Sequence, residues 1–205
     1  MDTQQYLIEK YQIDLKQLSP FWVTCNRLVD LPPLFKELGF TSGAEVGVCW
    51  GAYSEILCQS NPDLTVYSID PWVHYPLRRN FRRAYVYEPM YQHVVQLLAP
   101  YPNSRIIRKK SMEAVLDFPD NSLDFVFIDA DHRFEFVTND IAEWSKKVRV
   151  GGIISGHDYG VGPKRISEFV HTPEVVHAWT HAHNIHPWYV LDNRYERGWM
   201  WVKVK

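Results

Sequence analysis

The sequence predicts an α/β domain, a doubly wound, mostly parallel seven-stranded sheet that ends in a C-terminal antiparallel hairpin. Three observations predict it. From residue 44 onward, short apolar runs alternate with longer segments of helical spacing, the pattern of βαβ units. The last two apolar runs, residues 188–192 and 198–204, lie too close for a helical crossover and must pair antiparallel. Polar residues able to do chemistry cluster immediately after the apolar runs, where open parallel sheets bind ligands.

Taken in order, residues 3–18 and 31–38 are expected to be helical, with Pro32-Pro33 opening the second helix. Residues 44–48 form a strand ending at glycine, followed by a helix over 53–59 that stops near Asn61-Pro62. A strand over 64–69, a helix over 80–98, a strand over 105–108 and a short helix over 112–116 follow. Residues 123–128, Leu-Asp-Phe-Val-Phe-Ile, read as a strong strand. In the next helix, 134–148, Phe136, Val137, Ile141 and Trp144 fall near helical spacing. A strand over 152–155, a helix over 173–184 and the two terminal strands complete the list.

The 205 residues suit one domain, 1–205, with a helical N-terminal extension over 1–30 and a core over 31–205. A 46% hydrophobic share with 22% charged residues argues against disorder, and a net charge of -2 gives no pull toward nucleic acid or an anionic membrane. Neither nucleic acid nor a membrane is expected as a partner; a small-molecule substrate is. A homo-oligomer is left open, because Tyr6, Leu7, Phe21 and Trp22 could cover a cleft or a partner chain. Cys25, Cys49 and Cys58 have no CxxC spacing, so neither a disulfide framework nor a zinc knuckle is expected. Cys49 and Cys58 read as small buried apolar residues. The N-terminus lacks the features of a signal peptide, and no apolar run approaches the roughly 18 residues of a membrane span. A cytoplasmic protein is expected.

Two groups of residues carry the chemistry. After the first core strand stands Glu45-Val46-Gly47-Val48-Cys49-Trp50-Gly51-Ala52-Tyr53-Ser54. Gly47 and Gly51 allow a tight turn and close approach of a ligand to the backbone. The spacing is GxxxG rather than the GxGxxG of dinucleotide sites, and the carboxylate of Glu45 would attract a cationic amine and repel a pyrophosphate. The second strand ends in Asp70-Pro71-Trp72, where an acid can accept hydrogen bonds from both hydroxyls of a ribose. Together these favour a nucleoside with a cationic amino-acid end, which describes S-adenosylmethionine. Ser111 and Met112, opening a short helix, could flank the adenine, although Ser111 also reads as a simple helix cap.

The second group is Asp129-Ala130-Asp131-His132 after the fourth strand and His157-Asp158-Tyr159 after the fifth. Adjacent strand ends lie roughly 5 Å apart, so the loops can converge. Mixed carboxylate and imidazole donors suit Mg²⁺, Mn²⁺ or Fe²⁺.

The segments EVGVCWGAYS, YSIDPW, FIDADH and GGIISGHDY resemble those of class I S-adenosylmethionine-dependent methyltransferases. More narrowly, they resemble a small family that includes sugar-modifying O-methyltransferases of macrolide biosynthesis and cephalosporin-cluster proteins. The likeness to catechol and caffeoyl-CoA O-methyltransferases is more distant. It covers about residues 31–204. The resemblance implies a cofactor site of Glu45, Gly47, Gly51, Ser54, Asp70, Pro71, Trp72, Ser111, Met112 and Asp129. It implies a divalent metal, Mg²⁺ or Mn²⁺, on Asp129, His157 and Asp158, and a general base at His132. His157 departs from the usual acid at its position, which leaves Fe²⁺ or no metal open. The implied reaction is O-methylation of a sugar, phenol or catechol.

Three other readings explain less. An NAD-dependent oxidoreductase would want the missing third glycine. A metal-dependent hydrolase leaves Glu45 and Asp70 without a role. A non-catalytic binding module does not account for His132 beside Asp129. In the tail, His177 and His181 lie four apart but lack the acid of HExxH, so they read as a solvated helix face. Arg78, Arg79, Arg82 and Arg83 read as surface charge, and residues 73–90 as a substrate lid.

Overall fold

The computed structural model describes residues 2–73, 84–160, 170–193 and 196–205. Its elements, in chain order, are α1 (Thr3–Lys10), β1 (Phe21–Thr24), α2 (Leu31–Glu37), β2 (Ser42–Val46), α3 (Ala52–Ser60) and β3 (Thr65–Ile69). They continue as α4 (Tyr87–Leu98), β4 (Ser104–Ile107), α5 (Ser111–Ala114), β5 (Leu123–Ile128), α6 (Phe134–Lys147), β6 (Val148–Gly156), α7 (Thr172–Ala182), β7 (Trp188–Asp192) and β8 (Arg197–Val202). The strands form one sheet in the order β1-β7-β8-β6-β5-β2-β3-β4. Only β8 runs against the rest, antiparallel to both β6 and β7, as the short link between the last two strands requires.

Both faces of the sheet are covered, so its central strands β2 and β5 are buried along nearly their whole length rather than on alternate residues. In β5, Phe125 and Phe127 face the cluster that holds Leu7, Leu34, Phe35 and Leu57 of α1, α2 and α3. Val126 and Ile128 face the opposite cluster, with Val137, Ile141 and Trp144 of α6 and Val175 and Val176 of α7. Residues 137, 141 and 144 recur at helical spacing, which places them on one buried face of α6. Pro32 opens α2 and Pro173 opens α7, at first-turn positions where a missing N–H costs nothing.

The sheet has eight strands, not seven. The additional one, β1, lies in the expected helical extension and pairs in parallel with β7, from Phe21 opposite Tyr189 to Thr24 opposite Asp192. Phe21 and Val23 point inward while Trp22 and Thr24 point out, the period of a strand. The expected helix over 3–18 ends at Lys10, because Gln12 takes a left-handed backbone and Leu15 and Leu18 find no surface to bury against. Of the expected helix over 80–98 and the expected lid over 73–90, residues 74–83 lie outside the described residues, and with them Arg78, Arg79, Arg82 and Arg83. Among the described residues no helix is long and apolar enough to cross a membrane.

Candidate functional site

One row of hydrogen bonds lines up the carboxyl ends of four strands. The Asp70 amide donates to Ile107 O (3.3 Å), Gly47 to Ile69 O (2.8 Å), Asp129 to Val46 O (2.8 Å) and His157 to Ile128 O (3.0 Å). Each donor is the first residue past its own strand. Asp70, Gly47, Asp129 and His157 therefore stand side by side along the sheet edge, one strand spacing of about 4.8 Å apart. The two groups singled out in the sequence are one continuous site.

At its cofactor end the loop after β2 is held by Asp70. Its Oδ2 accepts from the amides of Val48 (3.1 Å) and Cys49 (3.0 Å), and its Oδ1 from Trp72 (2.7 Å). Gly47 has φ +99°, and a Cβ there would stand 2.2 Å from the Asp129 carbonyl oxygen. The two loops touch backbone to backbone, and only glycine permits it. Gly47→Ala is expected to cost about 2–5 kcal/mol, from overpacking and an unfavourable backbone together. Thermal unfolding will measure it, and an unchanged melting temperature would contradict the close contact.

Glu45 is 2% exposed, and its carboxylate accepts from the hydroxyl of Ser54, which also contacts the Ser68 hydroxyl at 2.6 Å. Burial pushes the Glu45 pKa up to about 8, against the pull of the Ser54 hydrogen bond. Ser54 is thus placed beneath the site, where it seats Glu45. Trp72 is 1% exposed, packs on Val48, Met90 and Val94, and donates from Nε1 to Cys49 O (2.9 Å). It braces the loop from below. Cys49 is exposed, not buried as expected, because its left-handed backbone at φ +55° turns the side chain outward; Cys58 is buried.

Ser111 and Met112 open α5, with Lys110 in the capping position. The Ser111 hydroxyl donates to Asp140 and accepts from Trp144 Nε1 (2.8 Å). Met112 packs on the α6 side of the sheet. Burial pushes Asp140 up to about 7. Its folded pKa lies above its unfolded one, so its contribution is fully present in acid and is lost as the pH rises toward 7. Asp140→Asn is expected to stabilise the fold at pH 8, on the order of 4 kcal/mol at 1.36 kcal/mol per pKa unit, and to do little at pH 4. Equal melting shifts at both pH values would contradict this.

At the other end, Asp129, His132 and Asp158 offer donor atoms that all lie within 4.8 Å of one another. His132 Nε2 is 3.0 Å from Asp158 Oδ2, and His157 Nδ1 lies 3.3 Å from Asp158 Oδ1 and 3.8 Å from Asp129 Oδ1. Burial would raise the Asp158 carboxyl, but hydrogen bonds from His132 and His157 outweigh it and hold it far below the usual carboxylate range. Burial lowers His157, and its acidic neighbours Asp158 and Asp129 more than reverse this, so it is raised. Burial raises Asp129, partly offset by His157 and Arg27. The left-handed backbone of Asp158, φ +55°, turns it toward its partners. The loop is pinned from α7, where the His171 amide donates to His132 O (2.8 Å) and His171 Nδ1 accepts from the Phe134 amide (3.2 Å). His177, expected as solvated helix surface, is exposed but contacts the Tyr159 hydroxyl through Nε2 (2.6 Å).

Two residues of the site carry no sequence signal. Arg27 Nη1 lies 3.0 Å from Asp129 Oδ2, and its Nε lies 3.4 Å from Glu196 Oε2. Glu196 in turn lies 3.5 Å from His157 Nε2, a nitrogen that is buried and makes no hydrogen bond among the described residues. A lone arginine in a turn and a lone acid in a hairpin loop look like surface charge. Only the pairing of β1 with β7 and of β7 with β8 brings them here.

The donor set fits a cationic nucleoside. Two buried or half-buried acids, Glu45 and Asp129, flank the Gly47 turn, whose missing side chain lets the loop after β5 pack against it, with the Asp70 carboxylate one strand away. The spacing of Asp129, His132 and Asp158 fits a divalent ion, with oxygen and imidazole donors.

A model of the methyltransferase domain family matches residues 44–159, more than half of the chain. Among solved structures, the chain is similar to the O-methyltransferase TomG from Streptomyces achromogenes, involved in tomaymycin synthesis and solved with S-adenosylmethionine (13% identity, TM-score 0.66, covering 98% of this chain and 87% of that one). It is similar to a Staphylococcus aureus protein provisionally named a caffeoyl-CoA O-methyltransferase (19% identity, TM-score 0.64, 97% and 98% covered). A third is an O-methyltransferase from Bacillus cereus in complex with S-adenosylhomocysteine (14% identity, TM-score 0.62, 100% and 91% covered). At these identities the likeness is one of fold. No curated protein matches the sequence.

Proposed function

The chain belongs to the methyltransferase domain family and has the fold of the class I S-adenosylmethionine-dependent enzymes, and from that premise we propose that it methylates a hydroxyl of a small molecule with divalent-metal assistance. The observation that carries this reading is the single row Asp70–Gly47–Asp129–His157, which sets a nucleoside-binding end against an acid–imidazole end. Bound at Glu45, Gly47 and Asp70, S-adenosylmethionine supplies a methyl group activated by its sulfonium. A metal on Asp129 and Asp158, with an imidazole of His132 or His157, supplies a Lewis acid that lowers the pKa of an acceptor hydroxyl.

The protein's own residues do the rest. Asp70 fixes the loop against which the ribose lies. Glu45, desolvated beside Ser54, offers its carboxyl to an ammonium group, whose positive charge favours the ionised form that burial alone disfavours. His132 takes the acceptor proton, and Asp158, 3.0 Å from its Nε2, holds the ring in place and stabilises the imidazolium that forms. Asp129, set next to Gly47, lies at the junction where acceptor oxygen and methyl group must align. The resemblance of the motifs puts a sugar hydroxyl first, then a phenol or catechol.

Calorimetry with S-adenosylhomocysteine, followed by a screen of sugar and catechol acceptors with and without Mn²⁺, tests the reading. Binding of the nucleoside with methylation of a hydroxylated acceptor is the expected result. Absence of binding heat would overturn the cofactor half. Turnover unaffected by chelation and by added Mn²⁺ would overturn the metal half.

A further inference from the structure

We propose that Arg27 is a resident counter-cation of the acidic centre, and that a divalent metal reaches Asp129 only by displacing its guanidinium onto Glu196. The inference rests on reading Asp129 and Asp158 as the metal-binding carboxylates.

Arginine is always charged and cannot vacate a site by losing its proton. Arg27 Nη1 lies 3.0 Å from Asp129 Oδ2, on the same carboxylate that belongs to the three-donor group. A divalent ion on that carboxylate would place two positive charges beside a third within a few ångströms, an arrangement that repels strongly in a half-buried setting. The guanidinium has somewhere to go. Its Nε already faces Glu196 Oε2 at 3.4 Å, and the Glu196 side chain is 43% exposed. Two acids share one cation, and removing either changes how tightly the other is held.

The residue is built into position. The guanidinium lies 5.8 Å from the ring centres of both Tyr53 and Phe127. Its turn is fastened by hydrogen bonds from the Asn26 amide to Asp30 Oδ2 (2.6 Å), from the Leu28 amide to Asn26 Oδ1 (2.8 Å) and from the Asp30 amide to Asn26 O (2.7 Å). The turn follows directly on β1, anchored by its register with β7. The N-terminal strand thus delivers a cation to a centre formed by residues a hundred positions later, and metal affinity becomes a property of that extension.

The test is Mn²⁺ binding, followed by the loss of the free-ion electron paramagnetic resonance signal, in the wild type and in Arg27→Met, Arg27→Lys, Glu196→Gln, Arg27→Met/Glu196→Gln and Asp158→Asn. Arg27→Met is expected to bind Mn²⁺ at least about tenfold more tightly than the wild type, because the competing charge is gone. Arg27→Lys, which keeps a point charge, stays near the wild type. Glu196→Gln binds Mn²⁺ more weakly, since the displaced guanidinium loses its second seat, and this effect shrinks in the Arg27→Met background. Unchanged or weaker binding by Arg27→Met, with Asp158→Asn abolishing it, would leave the centre standing and overturn the proposal. Absence of Mn²⁺ binding by every variant, with S-adenosylhomocysteine still bound, would overturn the metal reading and the proposal together. Should Arg27→Met fail to fold, equal Mn²⁺ affinity in the wild type and Glu196→Gln overturns it.

Discussion

His132→Ala is expected to lower kcat by about 10²- to 10⁴-fold, the usual contribution of a general acid–base group, while the Kd for S-adenosylhomocysteine stays nearly unchanged. The reason is geometric. His132 Nε2 lies 3.0 Å from Asp158 Oδ2, in the loop after β5, while Glu45 and Asp70 belong to β2 and to the loop after β3. Its removal touches the proton acceptor and leaves the nucleoside end intact. The backbone of the loop is held independently through His171, whose amide bonds the His132 carbonyl, so the variant should fold. Mn²⁺ affinity separates the two roles open to this imidazole. A large fall in kcat with unchanged Mn²⁺ binding assigns the base; parallel losses of kcat and Mn²⁺ affinity make His132 a ligand. A parallel loss of cofactor affinity would undo the assignment.

Glu45→Gln is expected to weaken S-adenosylhomocysteine by about 10- to 150-fold, the worth of a hydrogen bond to a charged group, and at the same time to stabilise the unliganded fold at pH 8. The two effects share one cause. Burial pushes the Glu45 pKa up to about 8, so below that pH the carboxyl is held protonated, and at higher pH the fold must carry a desolvated charge. A folded pKa above the unfolded value means that its stabilising contribution is present in full below about 4.3 and is lost as the pH climbs to 8. Glutamine keeps an acceptor for Ser54 and carries no charge, so the variant should melt higher than the wild type at pH 8 and close to it at pH 4. An arriving ammonium offsets the same desolvation in the wild type, which is why affinity should fall as stability rises. A variant that loses stability at pH 8, or one that binds the nucleoside like the wild type, would contradict a ligand-binding carboxylate.

Much of the site could be read from the chain because parallel sheets place chemistry at strand ends. Glu45, Gly47, Asp70, Asp129, His157 and Asp158 all sit within two residues of the end of an apolar run, and the structure sets them along one edge. Ser54 and Trp72 carry the same motifs yet serve beneath the site, because a motif records position in sequence and not depth in the fold. Cys49 illustrates the converse. Small apolar side chains are usually buried, but the tight loop that Gly47 and Gly51 allow turns this one outward.

The sequence by itself determined the alternation of strands and helices, the terminal antiparallel pair and the two acidic groups, since each depends on local spacing and residue type. Only the tertiary structure decided that residues 21–24 join the sheet as its eighth strand, that Arg27 and Glu196 close around Asp129, and that Asp140 is a buried acid. The division has a physical reason. Periodicity reports which face of an element meets the core, whereas an ion pair between residues 102 positions apart depends on which strands become neighbours, and that choice is made by packing across the whole domain.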